Sequence, residues 1–262
     1  MSVRFPFALS LFAVFMVRGG RVLLALYALQ LDAQPFTVGV LAATFSFLPA
    51  LLAYHIGRMS DRYGARWPLM LGIGGGGLGI IVPFFFHSIL ALFVAAVLNG
   101  LAFAFYNVSL QTVIGQLSAP NERTKNFNNF TLVVSTGNLI APLAVGFAID
   151  YSGHANACLY LACVALVPVA MLIARGKALP KATPRESRVG GNLLSTLREP
   201  QVMRVMVINS LLQTGFEQFL FYMPVYAHSA GLSASAIGIV MSLYSIGGFM
   251  VRVVLELSLI HI

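Results

Sequence analysis

The chain has 262 residues, of which 58% are apolar and only 9% charged, with a mean hydropathy of +0.86. That leaves too little polar surface to coat a soluble globule of this length, which excludes a water-soluble enzyme or binding domain. A net charge of +8 does not point to nucleic acid either, because no soluble segment combines a basic face with aromatics.

A bilayer-crossing helix needs about 20 mostly apolar residues. Eight such runs follow one another: Phe7 to Leu31, Phe36 to Gly57, Trp67 to Phe86, Ile89 to Gly115, Phe127 to Ile149, Ala157 to Ala174, Val205 to Ala227 and Ala234 to Leu255. Short breaks with turn chemistry separate most of them, at Asp32 to Pro35, His87 and Ser88, Asp150 to Asn156, and His228 to Ser233. One connection is long, Arg175 to Arg204, and it is rich in Pro, Gly and basic residues. It divides the chain into a six-helix unit, 1–174, a linker, 175–204, and a two-helix unit, 205–255. The first run carries Arg4 before it but has no small-residue cleavage site, so it reads as a spanning helix rather than a secretory signal. Cys158 and Cys163 share one run on different helix faces and indicate neither a disulfide nor a metal site.

Charge sets the orientation. Of the 16 Lys and Arg, Arg18, Arg21 and Arg252 lie inside spans; all the others fall on one side if the helices alternate, and the opposite loops carry none. The positive-inside rule therefore places the N-terminus and the 175–204 linker in the cytoplasm of a multi-pass protein, expected in a plasma or bacterial inner membrane.

Between the second and third runs stands Gly57, Arg58, Met59, Ser60, Asp61, Arg62, Tyr63, Gly64, Ala65, Arg66. Gly57, Met59, Asp61, Arg62, Gly64 and Arg66 resemble the loop joining transmembrane helices two and three of the major facilitator superfamily, G-x-[LM]-[AS]-D-R-x-G-x-[RK], with Ala65 where a basic residue is common. The resemblance implies an all-α membrane fold of twelve helices in two bundles, and a conformational latch formed by Gly57, Asp61, Arg62, Gly64 and Arg66. A plain topology-setting basic turn is the alternative.

An internal repeat supports the division. A shift of 199 positions lays Tyr27 and Ala28 on Tyr226 and Ala227, Gly39 on Gly238 and Ser46 on Ser245. The seventh and eighth runs thus restate the first and second, as in transporters built from parallel repeats. The second bundle stops after two helices. Residues Glu256 to Ile262 read as a tail foreign to the protein, a shortened family member being the alternative, and a fragment of this kind is expected to be inactive alone.

Arg18 and Arg21 lie roughly 16 and 21 Å into the first span at ~1.5 Å per residue. A charge at that depth costs about 2.5–3.5 kcal/mol, so it must face a cavity or a partner. Their i, i+3 spacing puts both on one side, and the repeat places Glu217 at the depth of Arg18. Arg18, Arg21 and Glu217, with the polar Asn99 and Asn138, form the expected substrate path, the arginines attracting an anionic or carbonyl-bearing solute and Glu217 offering a protonation site. A buried ion pair that only fixes packing is the alternative. The glycines of the third run, Gly72 to Gly79, read as packing surface. Gly137, Pro142 and Gly146 resemble part of an antiporter signature in helix five and imply a kinked rocking interface.

No metal pair, nucleophile elbow or nucleotide motif is present, so neither an enzyme nor a cofactor is expected. The function expected is secondary transport by alternating access, with proton-coupled efflux of a small organic solute favoured by the helix-five resemblance. An uptake symporter and a non-transporting receptor or assembly protein are the alternatives. Small solute, protons and lipid are the partners, and the protein is expected to be monomeric.

Overall fold

The computed structural model describes residues 3–180 and 199–260, with backbone alone at 178, 252, 253 and 255–260. Seven α-helices follow in order: α1 Arg4–Gln30, α2 Pro35–Tyr63, α3 Arg66–Phe85, α4 Ile89–Leu117, α5 Arg123–Arg175, α6 Pro200–Ser229 and α7 Ala234–Ile260. The described residues contain no strand. Most of the expected linker, at 181–198, lies outside the described residues, as do the last two residues of the expected tail.

Helix α5 is 53 residues long, but it is not one span. Gly153 takes φ 82°, ψ 165°, a conformation that only glycine adopts readily, and the chain reverses there. The reversal is visible at α1: a Cβ built on Gly19 would touch Val145 at 3.0 Å and Leu161 at 3.2 Å, one from each limb. The two expected spans on either side of 150–156 are therefore the two limbs of α5, and the described residues form eight helical limbs. Among the described residues, six helices are long and apolar enough to cross a membrane. Helix α6 is not among them, because Asn209, Ser210, Gln213, Thr214, Glu217 and Gln218 place polar groups on every turn of its middle.

Helix α1 is the axis of the bundle. It is buried along most of its length and packs on α4, α2 and both limbs of α5. Helix α3 lies along α4, and the glycines explain how closely. A Cβ on Gly72 would come within 2.3 Å of Phe105, on Gly76 within 2.6 Å of Ala102 and on Gly79 within 2.6 Å of Leu98, all from α4. Small residues here let two helices meet at backbone distance.

The two turns related by the 199-residue shift share one hydrogen-bond pattern. The α1–α2 turn bonds Leu31 to Tyr27, Asp32 to Leu29 and Ala33 to Ala28, each amide donating to a carbonyl at 3.0–3.1 Å. At a shift of 199, Ala230 bonds to Tyr226, Gly231 to His228 and Leu232 to Ala227 at 2.9–3.0 Å. Asp32 at φ 56° and Gly231 at φ 78° occupy the matching left-handed position that ends each helix.

The halves meet along one antiparallel seam between the first limb of α5 and α7. From the centre outward, Ser245 Oγ donates to the Asn138 carbonyl at 3.3 Å and Ser242 Oγ to that of Leu139 at 2.6 Å. A Cβ on Gly238 would lie 2.5 Å from the Pro142 carbonyl oxygen, and one on Gly146 would lie 2.3 Å from that of Ala234. The seam ends where Asp150 receives backbone N–H groups of Ala234 and Ser235. Opposite that end, the Arg66 side chain lies against Gly176, so the basic α2–α3 turn and the exit of α5 share one pole of the bundle.

Candidate functional site: a charged cavity between the halves

Arg18 and Arg21 sit mid-helix on α1, and Gly19 and Gly20 turn the bulk-free side of that helix into the bundle. A Cβ on Gly20 would fall 2.5 Å from Asn99 Nδ2, so close packing there drives both arginine side chains to the other side. That side faces α6. The Arg21 guanidinium donates through Nη1 to Glu217 Oε2 and through Nη2 to Ser46 Oγ at 3.2 Å. Arg18 Nη1 stands 3.9 Å from Glu217 Oε1. Gln213, one turn before on α6, donates to the same carboxylate at 3.5 Å. Aromatic faces flank both cations, Phe103 at 5.6 Å from the Arg18 carbon and Phe45 at 5.5 Å from that of Arg21, an arrangement that holds a desolvated guanidinium.

The cluster stands at the junction of a two-lobed cavity. One lobe, about 200 Å³, extends toward the Asp150 end and is bounded by α1, α2, α5, α6 and α7. The other, about 300 Å³, extends along α2 and α4 past Pro49, Ala53 and Asn107 toward the basic pole. Arg18, Arg21, Phe45, Ser46 and Glu217 line both lobes. Helix α6 closes the cavity opposite α1 with Phe216, Glu217, Leu220, Phe221 and Pro224, and Glu217 is its charged contribution.

The residues singled out from sequence are distributed as follows. Arg18, Arg21, Asn138 and Glu217 line the cavity. Asn99 does not: it is fully buried and its Nδ2 donates to the Val17 carbonyl at 3.0 Å, tying α4 to α1. Pro142 and Gly146 lie on the α5–α7 seam, whereas Gly137 faces α1, where its Cβ would come within 2.6 Å of Val14. At the basic pole Gly64 supplies the φ of 76° that reverses the chain between α2 and α3, and Asp61 and Arg62 stand exposed at the end of α2. A Cβ on Gly57 would meet open space, and Arg66 stacks on Trp67 at 5.9 Å. Sequence reasoning passed over Ser46 and Ser245 as site residues. Their signal was present, since the repeat pairs them and both line the cavity.

The helical fold has counterparts among known proteins. Residues 7–257 match the Major Facilitator Superfamily. The chain belongs to the major facilitator superfamily. Among its relatives, the class B tetracycline resistance protein of Escherichia coli is 29% identical over 116 residues, 44% of this chain and 29% of that protein. Multidrug resistance protein 1 of Bacillus subtilis is 22% identical over 229 residues, 86% of this chain and 58% of that one. The vesicular acetylcholine transporter of Torpedo torpedo is 29% identical over 175 residues, 66% of this chain and 32% of its own length. Among solved structures, a POT family transporter in complex with a thioalcohol-conjugated peptide superposes with a TM-score of 0.62 at 17% identity, over 90% of this chain and 48% of that one. The last likeness shows the fold. This major facilitator chain spans about a third to just over half of the length of these relatives, and it is a multi-pass membrane protein.

Proposed function

We propose that the protein is a proton-coupled secondary transporter that exports a small organic anion by alternating access. The single observation that carries this reading is the Arg18, Arg21 and Glu217 cluster, which joins α1 to α6 across the cavity between the halves. Charges in the middle of a spanning helix are costly and mark solute or proton paths. Residues 1–174 act as one rocking unit and 205–255 begin the other, with 175–204 as a cytoplasmic linker. The lobe leading to the basic pole is then the cytoplasmic vestibule, and the α5–α7 seam closes the opposite face.

Coupling follows from the pair. With Glu217 ionised, its carboxylate holds Arg21 and locks α6 to α1. A proton delivered to Glu217 neutralises it, releases the guanidinium and frees the two halves to move. An anion that takes Arg18 draws that guanidinium away from the Glu217 carboxylate, so solute and proton each bias the same cluster. Gly57, Asp61, Arg62, Gly64 and Arg66 latch the cytoplasmic face. The printed names of the relatives, tetracycline resistance and multidrug resistance, support export.

The test is flux in proteoliposomes made with the complete reading frame that contains this chain. An imposed pH gradient drives accumulation in the parent; Glu217→Gln retains solute exchange but loses the response to the gradient. Gradient-driven accumulation unaltered by Glu217→Gln would remove Glu217 from the proton path.

A further inference from the structure

Resting on that reading of the cavity as a solute path, we infer that its ligand is an amphipathic monoanion, held by Arg18 at its charged end with its apolar body in the lobe toward Asp150. The two arginines are not equivalent. Arg21 is engaged, by Glu217 and by Ser46. Arg18 makes no hydrogen bond to any described residue; its contact with Glu217 at 3.9 Å is too long for one. Its Nε is buried and without a partner. A guanidinium carries five N–H donors in a fork that matches a carboxylate, and here the fork lines both lobes unspent.

Formal charge agrees. Among the described residues that line either lobe, Arg18 and Arg21 are the cations and Glu217 is the anion, which leaves one positive charge uncompensated. A single negative charge on the ligand balances it. A dianion would overcompensate and a cation would meet the surplus head on.

The remaining wall sets the rest of the ligand. Val22, Leu41, Phe216, Leu220, Phe221 and Met241 line the lobe beyond the arginines, and such a wall favours an aliphatic or aromatic body. Between body and head, the Asn138 amide oxygen is buried with no partner and offers one neutral polar contact. The space, about 200 Å³, suits a body of one ring or a short chain.

Three probes with one body and different heads test this: 3-phenylpropionate, 3-phenylpropanol and 3-phenylpropylamine. Binding is measured by equilibrium dialysis against the 262-residue chain in nanodiscs of neutral lipid, with empty discs subtracted. The acid is expected to bind saturably and at least about tenfold more tightly than the alcohol or the amine, the scale of one charge-assisted fork. Arg18→Gln removes that preference, and Arg18→Lys, which keeps the charge without the fork, falls between. Gly74→Ala, outside both lobes and with its Cβ in open space, is the control and leaves binding of the acid unchanged. Thermal unfolding of each variant confirms that it is folded. Equal binding of acid and alcohol, or an Arg18→Gln protein that binds the acid as the parent does, overturns the inference. Selective binding by a protein that moves no 3-phenylpropionate upholds it and counts against the transport reading. Flux without head-group selectivity does the reverse.

Discussion

Asp150, at the end of the first limb of α5, caps α7 from across the molecule: one carboxylate oxygen accepts the Ser235 backbone N–H at 2.8 Å while the other accepts that of Ala234 at 3.1 Å. The first turn of a helix leaves its N–H groups without intrahelical partners, and an anion there also meets the positive end of the helix dipole. One residue of the first bundle therefore closes the outer end of the seam to the second.

This clasp makes stability depend on pH. Burial pushes the Asp150 carboxyl up, but hydrogen bonds from Ser235, Ala234 and Ser233 outweigh it and hold the group below its ordinary value. His154, on the same turn with its ring tilted against Tyr27 at 5.4 Å, is pushed down to about 4 by burial and then by the nearby His228, with Asp150 pulling the other way. Both folded values lie below the unfolded ones, so both contributions are complete above the unfolded pKa and are lost as pH falls. His154 acts first, between about 6.5 and 4; Asp150 acts below the ordinary carboxylate value. The thermal midpoint of the detergent-solubilised protein is expected to fall across the histidine window. His154→Gln flattens that portion, and Asp150→Asn lowers the midpoint at neutral pH.

The seam tolerates no added atoms. Gly146→Ala sets a methyl 2.3 Å from the Ala234 carbonyl oxygen and Gly238→Ala sets one 2.5 Å from that of Pro142. Both obstacles are backbone, so α5 and α7 must separate. Each substitution is expected to cost about 1–3 kcal/mol, read as earlier unfolding in a denaturant titration. Gly74→Ala is the control: its Cβ meets nothing within 4 Å, and it is expected to be neutral or to stabilise by up to about 1 kcal/mol.

Asn99 and Asn138 are expected to separate in function. Asn99→Ala removes the bond to the Val17 carbonyl and costs about 0.6–2 kcal/mol of stability. Binding of 3-phenylpropionate is unchanged, because Asn99 lies outside the cavity. Asn138→Ala weakens binding and leaves stability near that of the parent. Unfolding and equilibrium dialysis on the two variants distinguish the roles.

Much of this was legible in the sequence, for physical reasons. Lipid demands long apolar runs, and turn chemistry separates them, so all eight helical limbs could be read directly, including the reversal that Gly153 produces inside α5. The 199-residue shift brought Glu217 to the depth of Arg18, and the structure places it between Arg18 and Arg21, nearer the latter. Depth is set by rise along the helix, whereas the choice between two arginines one turn apart depends on how α6 is rotated, which no spacing rule gives. The Asp150 clasp was hidden for a similar reason. A cap supplied from another element leaves no local pattern, and Asp150 read as the start of a turn. Gly137 shared a motif with Gly146, yet the two point to different helices because nine residues of helix do not return to the same face.

The most direct measurement of the central claim, a water-filled path inside a protein surrounded by lipid, is thiol reactivity in native membranes. A thiol must ionise to react, which it does in water and not in hydrocarbon. In a Cys158→Ala, Cys163→Ala background, Ser46→Cys beside Arg21 is expected to react rapidly with a charged methanethiosulfonate and to be protected by 3-phenylpropionate. Leu78→Cys is expected to stay unmodified, although Leu78 is 70% exposed on the outer face of α3. Rapid modification at Leu78 with none at Ser46 would contradict the account.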